Sequence, residues 1–320
     1  ANREGLNANS LFNNAFGIKK PELDRNTYGA TLGGPIVKNK LFFFGSWERF
    51  SRDNKFVQTF GVPTAKMRAG DFSEVAGAYS SFKLFNPFSA ADPANRTQFA
   101  NYTIPSGLIS PQALAVLPFY PAPNSSQDLN SNQLADDYAI SRTQYMHRDN
   151  FDLKLTFQRN QSHSIWAKFG MLDNEGTGDN FILGFEEPSI GDTRVYVGTI
   201  GHTWTLSPTL VLDGNFGYQQ MDQTVTGPDY GTNYGTELGI PGVNGSSDRY
   251  SGLPTFASTY TIGGTPSWMP LFRTEKNWTF STAITKIFPK HELRVGFDFV
   301  RLELNHFQAE FGDYGLKGGF

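Results

Sequence analysis

Phe151-Asp152-Leu153-Lys154-Leu155-Thr156-Phe157-Gln158 is the stretch that decides the fold class. Phe151, Leu153, Leu155 and Phe157 alternate with Asp152, Lys154, Thr156 and Gln158, so an extended backbone here has one wholly apolar face and one wholly polar face. The turn residues Arg159-Asn160-Gln161 follow. The chain then returns with Ile165, Ala167, Phe169 and Met171 on one face against Ser164, Trp166, Lys168 and Gly170 on the other, which completes a hairpin.

Working outward, the pattern recurs. A second hairpin runs from about Arg194 to Thr205, turns at Leu206-Ser207-Pro208-Thr209, and returns with Leu210, Leu212, Phe216 and Tyr218 opposite Val211, Asp213, Asn215 and Gln219. A third sets Trp278, Phe280 and Ile284 against Thr279, Ser281 and Thr285. It turns at Phe288-Pro289-Lys290-His291 and returns through Leu293, Val295, Phe297 and Phe299, with Arg294, Gly296 and Asp298 on its other face. A less regular hairpin joins Thr27–Ile36 to Leu41–Phe50 through Val37-Lys38-Asn39-Lys40. About eight strands of roughly 12 residues are expected, longer than the usual 5–6 of globular sheets.

The connections between hairpins are long, at about 54–145, 174–192 and 224–273, while the turns within them are short. Long irregular loops are uncommon in compact water-soluble domains, whereas a membrane β-barrel has short periplasmic turns, long outer loops and strands that alternate apolar-out and polar-in. A soluble β-sandwich or up-and-down barrel would also alternate, burying the apolar face in a core. Aromatics near the strand ends, such as Phe151, Phe157 and Trp204, suit the interfacial girdles of a bilayer.

The 320 residues are 38% hydrophobic and 15% aromatic, with 33 Gly and 18 Pro. That composition disfavours a helical bundle. Mean hydropathy is -0.39, which a barrel reaches by averaging lipid-facing residues against lumen-facing ones and polar loops. A net charge of -3 provides no global basic field for nucleic acid. Cysteine is absent, which excludes disulfides, thiolate metal sites and a thiol nucleophile. No apolar run approaches the roughly 20 residues of a membrane helix. The chain opens at Ala1 on a polar stretch without an initiator Met, and stops at Gly318-Gly319-Phe320 in loop-like sequence, so a piece of a longer polypeptide is expected.

Three blocks in order resemble one family. They are Asn26 to Gly45, containing Thr31-Leu32-Gly33-Gly34-Pro35-Ile36-Val37-Lys38-Asn39-Lys40-Leu41-Phe42-Phe43-Phe44; Val62-Pro63-Thr64-Ala65-Lys66-Met67-Arg68-Ala69-Gly70-Asp71-Phe72-Ser73; and Ile104-Pro105 through Ile109-Ser110-Pro111 to Tyr120-Pro121-Ala122-Pro123-Asn124. Together they are similar to the large TonB-dependent outer-membrane receptors of the Oar-like type, which carry a carboxypeptidase-regulatory-like domain. The first block looks like the passage from plug to first barrel hairpin, and the other two look like parts of the first long extracellular loop. The resemblance implies a bacterial outer-membrane barrel of about 22 strands closed by a plug. A TonB-type energy-coupling protein would contact the plug region to drive uptake of an oligosaccharide, peptide or metal chelate. Residues 1–26 would then be the end of the plug or its linker, and residues 27–320 a partial wall of about eight strands. The plug, the TonB-contacting segment and the regulatory-like domain have no counterpart in this sequence. A surface binding or adhesion protein without transport is the alternative.

Catalytic chemistry finds little support. His147, His163, His202, His291 and His306 lie far apart and show no ligand spacing. Asp173-Asn174-Glu175-Gly176-Thr177-Gly178-Asp179 has oxygen ligands at alternate positions but lacks the downstream Glu of a calcium loop, and reads as a solvated loop. Asp136-Asp137 and Glu186-Glu187 are adjacent, so on a strand they would face opposite ways. No GxSxG, P-loop or dinucleotide pattern is present. Neither an enzyme, a cofactor nor a metal is expected.

Binding residues are expected in two places. The 224–273 loop holds Tyr230, Tyr234, Tyr250, Phe256, Tyr260 and Trp268 among Gly, Ser and Asn, a composition that suits stacking on flat ligands or sugar rings and, more readily, pinning the loops to one another. The polar strand faces, with Lys154, Trp166, Lys168, Arg294 and Asp298, would line a lumen.

Overall fold

The computed structural model describes residues 22–124, 137–177, 188–256, 260–263 and 268–308, with isolated positions before residue 22. Eight strands follow one another: β1 (Leu23–Val37), β2 (Leu41–Phe60), β3 (Tyr138–Asn160), β4 (His163–Thr177), β5 (Ile190–Ser207), β6 (Leu210–Thr226), β7 (Leu271–Ile287) and β8 (Glu292–Gln308). They form one antiparallel sheet in which each strand pairs with its neighbours in sequence. Among the described residues β1 and β8 pair only with β2 and β7, so the sheet is an open wall with two edges. All four expected hairpins are present, and their turns lie on one side of the sheet.

The register fixes the faces. Phe151 stands opposite Trp47 on β2 and Met171 on β4, and Met171 in turn opposite Tyr196 on β5. Farther along, Phe216 faces Ile200 and Phe280, and Phe280 faces Phe299. One side of the sheet therefore carries a continuous apolar band. That band has no second layer over it: Val295 is 58% exposed, Phe297 59% and Ile200 52%. A β-sandwich would bury these positions, and so large an open apolar surface fits a lipid interior rather than water. From Phe151 to Phe157 the band covers seven residues, about 20 Å along the strand at roughly 3.3 Å per residue, which a barrel tilt of about 35–45° turns into about 15 Å of apolar height.

The strands are longer than the alternation suggested, 23 residues for β3 and 20 for β2. Above the band both faces meet water, so the two-residue hydrophobic period dissolves while backbone pairing continues to Phe60 opposite Tyr138. The intervening loops accordingly span 61–137, 178–189 and 227–270. Asp173 to Thr177, expected in a loop, form the end of β4. Gly178, Asp179, Asp136, Glu186 and Glu187 lie outside the described residues, as do most of residues 1–21, the expected plug or linker.

The buried residues sit mostly in the loops. Val62, Val116 and Tyr120 of the 61–137 loop pack with Leu253 and Ile262 of the 227–270 loop, and Phe60, Phe119, Tyr138, Tyr234, Phe256 and Tyr260 surround them. A smaller cluster of Val225, Met269 and Leu271 anchors the far end of the second loop on β6 and β7. The two long loops thus share a core at the end of the wall opposite the short turns.

Candidate functional site

Three surfaces arise from this frame: an outer band, an inner polar face and a cap of loops. On the outer band, aromatics gather at the loop-side boundary. Tyr28 lies edge-on to Trp47 at 5.8 Å between ring centroids, and Tyr218 lies 4.3 Å from Trp278. Immediately above runs a row of polar pairs on the same face: Arg49 to Asp149 at 2.7 Å, Arg194 to Asp173 at 2.7 Å, and Thr274 donating to Asp222 at 2.8 Å. Rings below and ion pairs above mark the level where hydrocarbon gives way to headgroups. At the turn side, Trp204 stacks on His163 at 4.9 Å with planes 12° apart, which gives the other boundary its aromatic.

The inner face holds the second group of expected binding residues. Lys154, Trp166 and Lys168 all stand on it, since Thr156 opposes Trp166 and Lys154 opposes Lys168. The Lys154 ammonium sits 5.8 Å from the Trp166 ring centroid, and Lys168 pairs with Asp152 at 3.2 Å. Trp166 extends across β5 because residue 201 is glycine: a Cβ there would lie 2.5 Å from its Cζ2. Arg294 donates to Asp213 at 2.8 Å and to Thr285 at 3.3 Å. Asp298 stands opposite Ser281, two strands from Asn215. Arg294 and Asp298 therefore share the face with Trp166 but sit four strands away. A recess of about 760 Å³ lies over the inner side of β1 to β5, bordered by Ser46, Glu48, Asn150, Asp152 and Lys168.

The cap is built from the second and third sequence blocks. Thr64 caps a short helix by accepting from the Met67 amide at 3.3 Å and donates to Glu74 at 2.7 Å. Gly70, at φ +84°, turns the chain out of that helix, a conformation that favours glycine. Arg68 donates to the Pro63, Leu117, Tyr120 and Pro121 carbonyls at 2.9, 3.1, 3.1 and 2.5 Å. Asp71 accepts from the Ser73 amide at 2.9 Å, which together with the Ser73 hydroxyl holds its carboxyl below the usual range. The other loop is organised by Asn244, whose carbonyl accepts from the Gly235 amide at 2.8 Å while its amide donates to the Tyr250 and Gly252 carbonyls at 2.9 and 3.0 Å.

The expected aromatic platform is dispersed in this cap. Tyr234 packs edge-on to Phe119 at 5.3 Å, Tyr230 edge-on to Phe272 at 5.8 Å, and Trp268 against the Val225, Met269 and Leu271 cluster. The Tyr250 ring lies against Gly245. The Tyr260 carbonyl accepts from the Tyr120 hydroxyl at 2.5 Å, and burial, with Asp137 and Tyr79 nearby, pushes its own phenol up to about 12. These rings join loops to loops and to β7, the pinning role that their composition also allowed.

Sequence reasoning missed Arg25, Arg52, Arg142 and Arg148 on the inner face. They are far apart in the chain and only the strand register assembles them. Among the described residues no cluster of three or more His, Asp or Glu is placed to hold a metal ion. The family profile described as "Outer membrane beta barrel domain" matches residues 2–320. A search of curated proteins returns no match.

Proposed function

From the premise that the chain belongs to the outer membrane beta barrel domain family and lies in the bacterial outer membrane, we propose that it is part of the wall and outer loops of a TonB-dependent, Oar-like receptor that takes up a nutrient. The observation that carries this reading is the clamp made by Arg68. Its guanidinium binds carbonyls of Leu117, Tyr120 and Pro121, so the two loop blocks that resemble the family form one structural unit, which supports reading them together. That unit, with the 227–270 loop, roofs the loop-side end of a wall whose inner face carries Glu48, Asp152, Lys154 and Lys168. This is the arrangement a ligand would meet before entering a lumen. In this reading the residues before β1 lead from a plug, four fewer than the 1–26 expected because β1 already begins at Leu23, and a TonB-type protein acts through that region.

The experiment compares accumulation of candidate oligosaccharides, peptides and metal chelates in wild-type cells, cells lacking the full gene and cells lacking the TonB-type coupler. Equal loss in the two deletion strains is the expected result. A ligand that still binds the cell surface, with no accumulation in any strain, would instead make the protein an adhesion or binding barrel.

A further inference from the structure

The inner face of β1 to β4 above Glu48 is basic by construction. Arg25 stands opposite Arg52, Phe50 opposite Arg148, and Phe56 opposite Arg142, all on the side that carries Trp166 and Lys168. The remaining inner positions at this level, among them Asn54, Gln144, Met146, Leu172 and Asn174, are uncharged. Among the described residues Glu48 is the only acid beside them, 3.6 Å from Arg148 and accepting from Asn150 at 3.4 Å.

The guanidinium groups are held in place. Arg25 and Arg148 both lie over the Phe50 ring, at 5.2 and 5.5 Å from its centroid, an arrangement that fixes cations while leaving their N–H edges free to bind. The Nε atoms of Arg52 and Arg148 are buried with no hydrogen-bond acceptor. Unmet donors on charged groups are costly, and like charges brought together repel, so four guanidinium groups beside the one carboxylate of Glu48 favour a further anion among them. The recess starts at Glu48 and Asn150 and continues to Asp152 and Lys168, which offers both donors and acceptors, as hydroxyl groups require.

We propose that this cluster and recess bind a hydroxylated ligand bearing an anionic group, an acidic saccharide fitting both halves. The carboxylate or sulfate is taken by the arginine forks of Arg52 and Arg148, and the hydroxyls by Glu48, Asn150, Asp152 and Lys168. The assignment rests on the reading of this face as the lumen of a ligand-conducting barrel.

The test uses the full-length protein purified from outer membranes in detergent, with a dextran sulfate oligomer and an uncharged dextran oligomer of equal length as probes in titration calorimetry. The wild type is expected to bind the sulfated oligomer and to lose affinity as salt rises. Replacing Arg52→Gln with Arg148→Gln should weaken binding at least tenfold, while Lys38→Gln with Lys290→Gln, on the short turns, should leave it unchanged. Should the glutamine pair fail to give folded protein, judged by heat-modified electrophoretic mobility, Arg52→Lys with Arg148→Lys decides: it should bind measurably more weakly because the forks are lost. Equal binding by the arginine variants and wild type, or equal binding of charged and uncharged oligomers, would overturn the site. Intact binding without coupler-dependent uptake would overturn transport and leave the site standing.

Discussion

Arg68 donates to the carbonyl oxygen of Tyr120 at 3.1 Å, across more than fifty residues of loop. The same guanidinium also ties Pro63, Leu117 and Pro121, so one side chain closes both ends of a long irregular segment. Hydrogen bonds from a charged donor contribute about 1.5–3 kcal/mol. Arg68→Ala should therefore loosen the cap without touching the wall. Limited proteolysis of intact cells should cut within 61–137 at least tenfold faster in the variant, while heat-modified mobility of the barrel stays the same.

Phe297 and Asp298 are neighbours on β8 with opposite fates. Phe297 opposes Thr282 on the outer band and lies 6.4 Å from the Phe280 ring, while Asp298 opposes Ser281 on the inner face. Phe297→Arg should cost about 2–4 kcal/mol if it lies near the bilayer midplane, and Asp298→Arg well under 1 kcal/mol. Urea titration of the full-length protein in lipid vesicles measures both; equal costs would reverse the assignment of faces.

Gly201 marks the floor under Trp166. A Cβ at this position would lie 2.5 Å from Cζ2 of the indole and 3.0 Å from the Gly214 carbonyl. Gly201→Ala should displace the ring from β5 and weaken its contact with Lys154, at about 1–3 kcal/mol of overpacking. Acrylamide quenching of tryptophan fluorescence should rise relative to wild type; an unchanged quenching constant would mean that Trp166 does not lie where the geometry puts it.

The cap should also respond to alkali. Burial raises the Tyr260 phenol from its ordinary value of 10 to about 12, so ionisation is easier in the loosened loop than in the packed one. The stabilisation is fully present below pH 10 and is lost as pH rises through about 12. Hydrogen exchange at loop amides around Ile262 and Val116 should therefore accelerate over that window beyond the intrinsic rate. Tyr260→Phe should remove the excess and leave the Tyr120 hydroxyl bond to the backbone in place.

Hairpins such as Phe151–Met171 and Ile284–Phe299 were legible because lipid on one side and water on the other enforce strict alternation. The upper halves of β2 and β3 were not, because above the Arg49–Asp149 row both faces are wet and Phe50, Arg52, Arg142 and Arg148 follow no period. The inner-face positions of Trp166 and Lys168 could be read from a single strand. The arginine cluster needed three strands in register. For Tyr234 and Tyr260 the sequence offered two accounts, since a ring that stacks on a ligand can also fill a core, and the packing of Tyr234 on Phe119 and of both rings on the loop cluster supports the second.

The open meander determines how such a wall can be built and attacked. Every pairing joins neighbours in sequence, so the sheet can grow one hairpin at a time, each new strand templated by the one before. The growing margin at any moment is a row of unmet amides and carbonyls, which in hydrocarbon cost several kcal/mol each. On β8 that margin runs from Glu292 to Gln308 beside Val300, Leu302 and Leu304, which point to the inner side. An extended peptide of matching alternation would seat along that margin. Assembly is the step at which a small strand mimic would arrest the protein.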